Sequence, residues 1–209
     1  MMINKNKGAL KDFEERIWAQ KYLLLGIDEA GRGPLAGPCV VCGVILKPYL
    51  DYSMIDDSKV LSDKKREELV SYIKDNSVAI YTKIVSVEEI DTYNIYRATQ
   101  KAMQEIADES LAVACVLSDA MPLDVNGEFH SLIKGDHKSI SIAAASIIAK
   151  TMRDDIMKKY DELYPAFGFA KHKGYPTKQH YEAIKNFGVL AIHRKSYKLF
   201  KESQISFDI

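Results

Sequence analysis

Two carboxylates stand side by side in the stretch LLLGIDEAGRGPLAGP, Leu23 to Pro38. Asp28 and Glu29 close an apolar run, and the glycine-rich segment Gly31-Arg32-Gly33 follows at once. Two further acids hold comparable places. Asp119 ends the apolar stretch LAVACVLSDA, and Asp136, in IKGDHKS, lies just before a long helical pattern. In open α/β sheets ligands collect beyond strand ends, and the loops there carry function. Carboxylates gathered in one cleft repel one another and lose hydration, which is costly unless a cation joins them. Hard oxygen donors favour Mg²⁺ or Mn²⁺ over zinc. Adjacent strand residues point to opposite faces. Asp28 and Glu29 therefore reach one ion only if the strand is irregular, or if Glu29 approaches from another side or through its backbone carbonyl. The same acids also suit strand caps and turns, where no metal is needed.

Other residues leave comparable alternatives open. Glycines at 31 and 33 let the backbone approach a ligand closely. The segment lacks the ending of a Walker loop, and a tight turn between two strands accounts for it equally. From Lys171 to Lys198 seven Lys or Arg face the single acid Glu182, with Tyr175, Tyr181 and Phe187 interleaved and His172, His180 and His193 among them. That segment suits phosphate binding, or it is a solvated basic face. Tyr175 alone reads as a surface or packing tyrosine. His172 and His193 fit a proton shuttle, a phosphate contact or surface packing. Cys39 and Cys42 form a CxxC, but residues three apart on a strand face opposite ways and no second pair completes a zinc site.

The elements that must position these residues follow from pattern. Leu23–Ile27 and Cys39–Leu46 read as buried strands and Val78–Val85 as a third, together an antiparallel meander. The segment KPYLDYSMIDDSKVLSD between them reads as a loop. Ser62 caps a helix running to about Asp75. SVEE, Ser86–Glu89, is a capping box, and Ile95, Ala98, Ala102 and Ile106 keep helical spacing. Leu111–Leu117 reads as a buried strand placed centrally, and a short strand follows near Phe129–Ile133. A long helix starts at Ser139 and stops before Pro165; another opens at Thr177 and ends near Gly188. The expected class is α/β, a mixed sheet with helices on both faces.

At 209 residues the chain suits a single domain. No apolar run reaches the roughly 18 residues of a membrane span. The first residues carry no apolar core with a cleavage site, so no secretory signal is expected and the cytoplasm is the expected location. The 29 basic and 29 acidic residues cancel, so net charge gives no argument for a polyanionic partner.

GIDEAGRGPLAGP, DDSKVLSDKKREEL, KGDHKSISIAAASIIAKTMRD and FGFAKHKGYPTKQHYEAIKNFG with IHRKSY occur in order and together resemble bacterial ribonuclease HII, from about Phe13 to Tyr197. The resemblance implies a ribonuclease H-like mixed five-stranded sheet, three antiparallel strands then parallel ones, over 1–209, with a C-terminal helical extension from about 161. It implies an endonuclease that cuts the RNA strand of RNA/DNA hybrids and nicks duplex DNA 5′ to embedded ribonucleotides by two-metal hydrolysis. Asp28, Glu29, Asp119 and Asp136 match the family's metal-binding catalytic carboxylates, for Mn²⁺ or Mg²⁺. Gly31, Arg32 and Gly33 match its reader of the 2′-hydroxyl, and Tyr175 its junction-sensing tyrosine. Val60, His137 and Cys39 depart from common family residues without touching these. A monomer is expected. The tail ESQISFDI faintly resembles short sliding-clamp ligands. Competing expectations are a DNA nuclease of the same fold, resolvase-like, and a non-catalytic hybrid-binding protein.

Overall fold

The structure, a computed structural model, describes residues 12–56 and 63–200. Strands β1 (Leu24–Ala30), β2 (Cys39–Leu46) and β3 (Ser77–Val85) form the antiparallel meander. β4 (Cys115–Asp119) and β5 (Glu128–Leu132) add in parallel on the other side of β1, giving the order β3-β2-β1-β4-β5. Before β1 runs α1 (Asp12–Ala19). Between β2 and β3 lie α2 (Ser53–Asp56) and α3 (Asp63–Asp75), and between β3 and β4 lie α4 (Val87–Tyr93) and α5 (Ile95–Glu109). A 3-10 turn, Gly135–His137, leads into α6 (Ile140–Leu163), then α7 (Phe169–His172) and α8 (Lys178–Phe187). The mixed five-stranded sheet with flanking helices is the expected class.

β2 is buried at every position because both of its faces are covered. Val40, Cys42, Val44 and Leu46 pack toward the alanine-rich start of α6. Cys39, Val41 and Ile45 pack toward Ile90, Met103 and Ile106 of α4 and α5. The two cysteines of the CxxC therefore lie on opposite faces, free and buried. A third apolar cluster joins Leu35 and Ala36, after β1, to Met157 of α6 and to Phe167, Phe169, Ala183 and Ile184.

The capping residues act as expected. Ser86 and Glu89 close the capping box of α4, Ser139 caps α6, and Thr177 caps α8 with Gly188 past its end. Two boundaries, the place of the middle strand and one short helix differ from the sequence reading. β1 runs on to Ala30, because pairing continues through Asp28↔Cys42, Glu29↔Val41 and Ala30↔Val40. β4 starts at Cys115 rather than Leu111, whose side chain is exposed and whose N–H donates to the Tyr81 hydroxyl. β1, not β4, is the middle strand. The stretch read as a loop contains the single-turn α2. The cap at Ser62 and the departure at Val60 fall outside the described residues. Among those described, no helix is long and apolar enough to cross a membrane.

α6 lies directly on β1. Glu14 of α1 secures its start, accepting from the Ser139 hydroxyl (2.6 Å) and the Ser141 N–H (2.9 Å). The contact requires Gly26: a Cβ there would stand 2.4 Å from the Ser141 carbonyl carbon. Gly26→Ala therefore lifts α6 off the strand two residues before Asp28. Overpacking of this kind costs about 1–3 kcal/mol, and a thermal midpoint lower by several degrees checks it.

Candidate active site

Asp28 and Glu29 keep strand alternation. Asp28 lies on the α6 side, where Ser146 hydrogen-bonds its carboxylate, and its Oδ1 also accepts from the Glu29 N–H at 2.7 Å. Glu29 turns the other way and meets Arg32 Nη1 at 3.5 Å; that guanidinium stands 6.0 Å from the Tyr96 ring centre on α5. Burial pushes both carboxyl groups up, Asp28 well above its usual range and Glu29 to about 7. Glu29 and Asp119 raise Asp28 further, and Asp119 adds to the rise at Glu29.

Asp119 arrives through the parallel register. Ile27 pairs with Ser118, so the next residues of the two strands are Asp28 and Asp119. Asp119 Oδ1 accepts from the Gly135 N–H at 2.7 Å, which ties down the turn carrying Asp136. The Asp136 carboxylate itself is one-third exposed and 3.5 Å from His137 Nε2. The structure thus gathers Asp28, Glu29 and Asp119, and brings the backbone beside Asp136 to them.

These residues fit a hard divalent cation. Glu29 Oε2 is buried with no hydrogen-bond partner among the described residues, and a neighbouring buried carboxylate raises the cost of leaving it so. The candidate acids do not bring three ligand atoms within 4.8 Å of one another among the described residues. Among the described residues the three potential ligand atoms that lie within 4.8 Å of one another belong to Cys115, Glu128 and His130. Glu128 of that group is already held by Arg16 and by His130.

Beside the acids opens a cleft of about 350 Å³ lined by Glu29, Gly31, Arg32, Gly33, Lys150 and Tyr175 among others. Gly31 has a φ of +103°, and a Cβ there would stand 2.1 Å from Arg153 Nε, so no side chain fits. A Cβ on Gly33 would sit 3.5 Å from the half-exposed Tyr175 ring. Glu29, the glycine turn and the tyrosine thus share one cleft.

A family model described as Ribonuclease HII matches residues 25–200. The chain belongs to the ribonuclease HII family. It is 47% identical over 195 residues to ribonuclease HII of Enterococcus faecalis, covering 92% of this chain and 76% of that protein. Against the Francisella philomiragia enzyme it is 50% identical over 180 residues, covering 84% and 96%. Among solved structures it is similar to ribonuclease H2 of Pyrococcus horikoshii (TM-score 0.73, 26% identity, 85% and 94% covered). It is also similar to RNase HII of Archaeoglobus fulgidus, solved in complex with PCNA (0.71, 27%, 87% and 98%). Ribonuclease HII enzymes are metal-dependent endonucleases that hydrolyse phosphodiester bonds, and the family is one of ribonucleases H, which act on RNA/DNA hybrids.

Several residues of this candidate site are not singled out by the sequence: Ser146, which bonds Asp28, and Lys150, Arg153 and Asp154, which line the cleft. Their spacing of four, seven and eight marks one helix face, the signal available. Arg194, counted within the basic segment, is fully buried rather than turned to phosphate.

The three histidines of that segment are also buried, not surface contacts. His172 and His180 stack with centroids 4.6 Å apart, and His180 Nε2 meets His193 Nε2 at 3.1 Å. Their partners fix the tautomers. His172 Nε2 donates to Phe167 O and its Nδ1 accepts from the Gly174 N–H. His180 Nδ1 donates to Tyr175 O, so its Nε2 accepts from His193, whose Nδ1 takes the Leu190 N–H. Each ring carries one proton, and a second on any of them would remove an acceptor. Burial pushes all three below the usual histidine value of 6.5, His180 to about 4. The unfolded chain takes this proton near 6.5 and the folded chain only near 4. His180 therefore contributes stability that is complete above 6.5 and is lost as pH falls toward about 4. Ring-proton NMR should show His180 still neutral at about pH 5.5; titration near 6.5 would contradict the arrangement.

Proposed function

We propose that this enzyme hydrolyses the RNA strand of RNA/DNA hybrids and nicks duplex DNA 5′ to a single embedded ribonucleotide, leaving a 3′-hydroxyl and a 5′-phosphate. One observation carries the reading: Glu29, a buried carboxyl group with an unpartnered oxygen, opens onto the same cleft as Gly31, where no side chain fits, with Asp28 and Asp119 beside it at the strand ends. Asp28, Glu29, Asp119 and Asp136 would hold Mg²⁺ or Mn²⁺, two ions during catalysis, and the metal would supply an activated water and charge stabilisation for the departing 3′-oxygen. Ser146 and the Glu29 N–H orient the Asp28 carboxylate. Asp119 keeps the Asp136 turn in place through Gly135.

The 2′-hydroxyl is what separates RNA from DNA at one nucleotide. Gly31, Arg32 and Gly33 reach it with backbone groups where a side chain would clash. Tyr175 packs on the neighbouring sugar and favours deoxyribose on the 3′ side. Lys150 and Lys173, at the cleft, meet phosphates and position the duplex without reading sequence. The enzyme acts as a monomer in the cytoplasm. A sliding-clamp contact like that of the Archaeoglobus relative would use the tail ESQISFDI, which lies outside the described residues.

A duplex holding one ribonucleotide, incubated with Mg²⁺, Mn²⁺ or chelator, should be cut 5′ to the ribose only when metal is present, and an all-DNA duplex should stay intact. Cutting of the all-DNA duplex would assign a DNA nuclease instead. Asp119→Asn should lower cleavage by at least ~10²-fold, the scale on which removing one preorganised charge-stabilising group acts, while hybrid binding persists. Mn²⁺ at about 100 times its Kd should raise the melting midpoint near neutral pH by roughly 5–10 °C. The Asp28→Asn protein should lose most of that shift; an equal shift in both would separate the ion from these acids.

A further inference from the structure

Two buried guanidinium groups from distant parts of the chain hold the turn between β1 and β2. Arg194 donates Nη2 to Gly31 O (2.6 Å), Nη1 to Arg32 O (2.9 Å) and Nε to Gly37 O (3.0 Å). Arg153 donates Nε to Pro38 O (3.0 Å) and Nη2 to Ala36 O (3.2 Å), and its Nη1 reaches Lys173 O (3.0 Å). Tyr197 completes the grip: its hydroxyl donates to Arg32 O at 2.7 Å, accepts from Arg194 Nη1 at 3.2 Å, and its ring centre lies 5.1 Å from that guanidinium. The N–H groups of Leu35 and Gly37 are spent on Gly174 O and Ile192 O. The amides of Arg32 and Gly33 have no protein acceptor among the described residues, and both residues line the cleft.

This arrangement is expensive for a simple connection. Neither arginine has a carboxylate within 4 Å among the described residues, both are buried, and their like charges oppose one another. The lost hydration is offset mainly by carbonyl dipoles, with the Tyr197 hydroxyl and ring beside Arg194 and the Asp154 charge near Arg153, whereas a strand-to-strand turn has many cheaper solutions.

We propose that Arg153 and Arg194 are positioning residues for ribose selection. They tie back the carbonyl side of the turn, so that the amides of Arg32 and Gly33 are held rigid toward the sugar. Their contribution is discrimination between ribose and other sugars rather than affinity for the duplex. The proposal rests on the reading that this turn meets the 2′-hydroxyl.

The test compares kcat/KM on a duplex with one ribonucleotide and on the same duplex with a 2′-fluoro nucleotide at that position. Lysine at 194 keeps the charge, but its three donors share one nitrogen and cannot reproduce the planar fork that spans the three carbonyls. Arg194→Lys should lower the ribose-to-fluoro ratio by ~10²-fold, the scale of an ångström-sized misplacement, mainly through kcat. Binding to the hybrid without metal should be unchanged. Tyr197→Phe, which removes one hydroxyl and no charge, should lower the ratio by a smaller factor, and it decides the matter if the lysine variant does not fold. Variants that lose activity on both duplexes alike, or keep the wild-type ratio, overturn the proposal, because a purely structural role lowers stability without changing sugar preference. A wild-type enzyme with no preference for ribose overturns the reading of the turn itself, and is told apart because it needs no variant.

Discussion

Two carboxylates buried at the end of the middle strand set the terms for the rest of the molecule. Burial raises the pKa of each, and neighbouring charge adds to it: Glu29 and Asp119 raise Asp28, and Asp119 raises Glu29. The parallel pairing of β1 with β4 makes the conflict deeper, since the register that aligns Ile27 with Ser118 sets Asp119 beside Asp28. A slip of one residue would turn Asp119 to the other face of the sheet. The apolar sequences of both strands forbid that slip, because Leu25 and Ile27 pack on the α5 side while Leu24 and Leu117 pack with Ile142 of α6. The core thus enforces an electrostatic conflict that a bound divalent cation would relieve.

α6 is the element that connects this acid cluster to the turn beside it. Ser146 reaches Asp28, Lys150 and Asp154 line the cleft, and Arg153 grips the turn carbonyls. All four lie on one face of one helix, and so their relative positions are fixed by helical geometry. Met157 continues that face and occupies the space a side chain at Gly37 would need. Gly26 lets this rod lie on β1 without an intervening Cβ. Acid cluster, cleft and turn therefore move together or not at all.

Much of this was legible in the sequence, and the misses have physical causes. Asp28, Glu29 and Asp119 are visible because they close apolar runs and Asp136 because it precedes a long helical pattern, and the caps Ser86, Ser139 and Thr177 announce their helices. The end of β1 was misplaced because carboxylates are poor strand formers, yet backbone pairing with Val40, Val41 and Cys42 carries the strand through them. The functional face of α6 was hidden because the helix is buried all round from Ile140 to Ala145, which flattens its periodicity. Arg194 was counted with the basic residues around it, since nothing in IHRKSY marks one cation as buried and the next as exposed. The burial of the histidines escapes the sequence for the same reason: His172 and His193 fit a proton shuttle, a phosphate contact or surface packing equally, and burial of a polar ring depends on partners that only the fold supplies.

The C-terminal segment sets opposite electrostatic roles on adjacent residues. His193 is kept neutral by its place in the ring of three, while Arg194 beside it carries charge into the turn. Neutral histidines suit this place, because another buried cation near two arginines would have only carbonyl dipoles to offset it. The same neutral ring holds Tyr175 in position, through the bond from His180 Nδ1 to its carbonyl and through the Tyr175 N–H on His172 O. The turn is thus braced by permanent charge and the tyrosine loop by a chain of neutral rings. Acidification attacks the second brace first, since a guanidinium keeps its proton where an imidazole gains one. Loss of the tyrosine contact on acidification would accordingly precede loss of the turn.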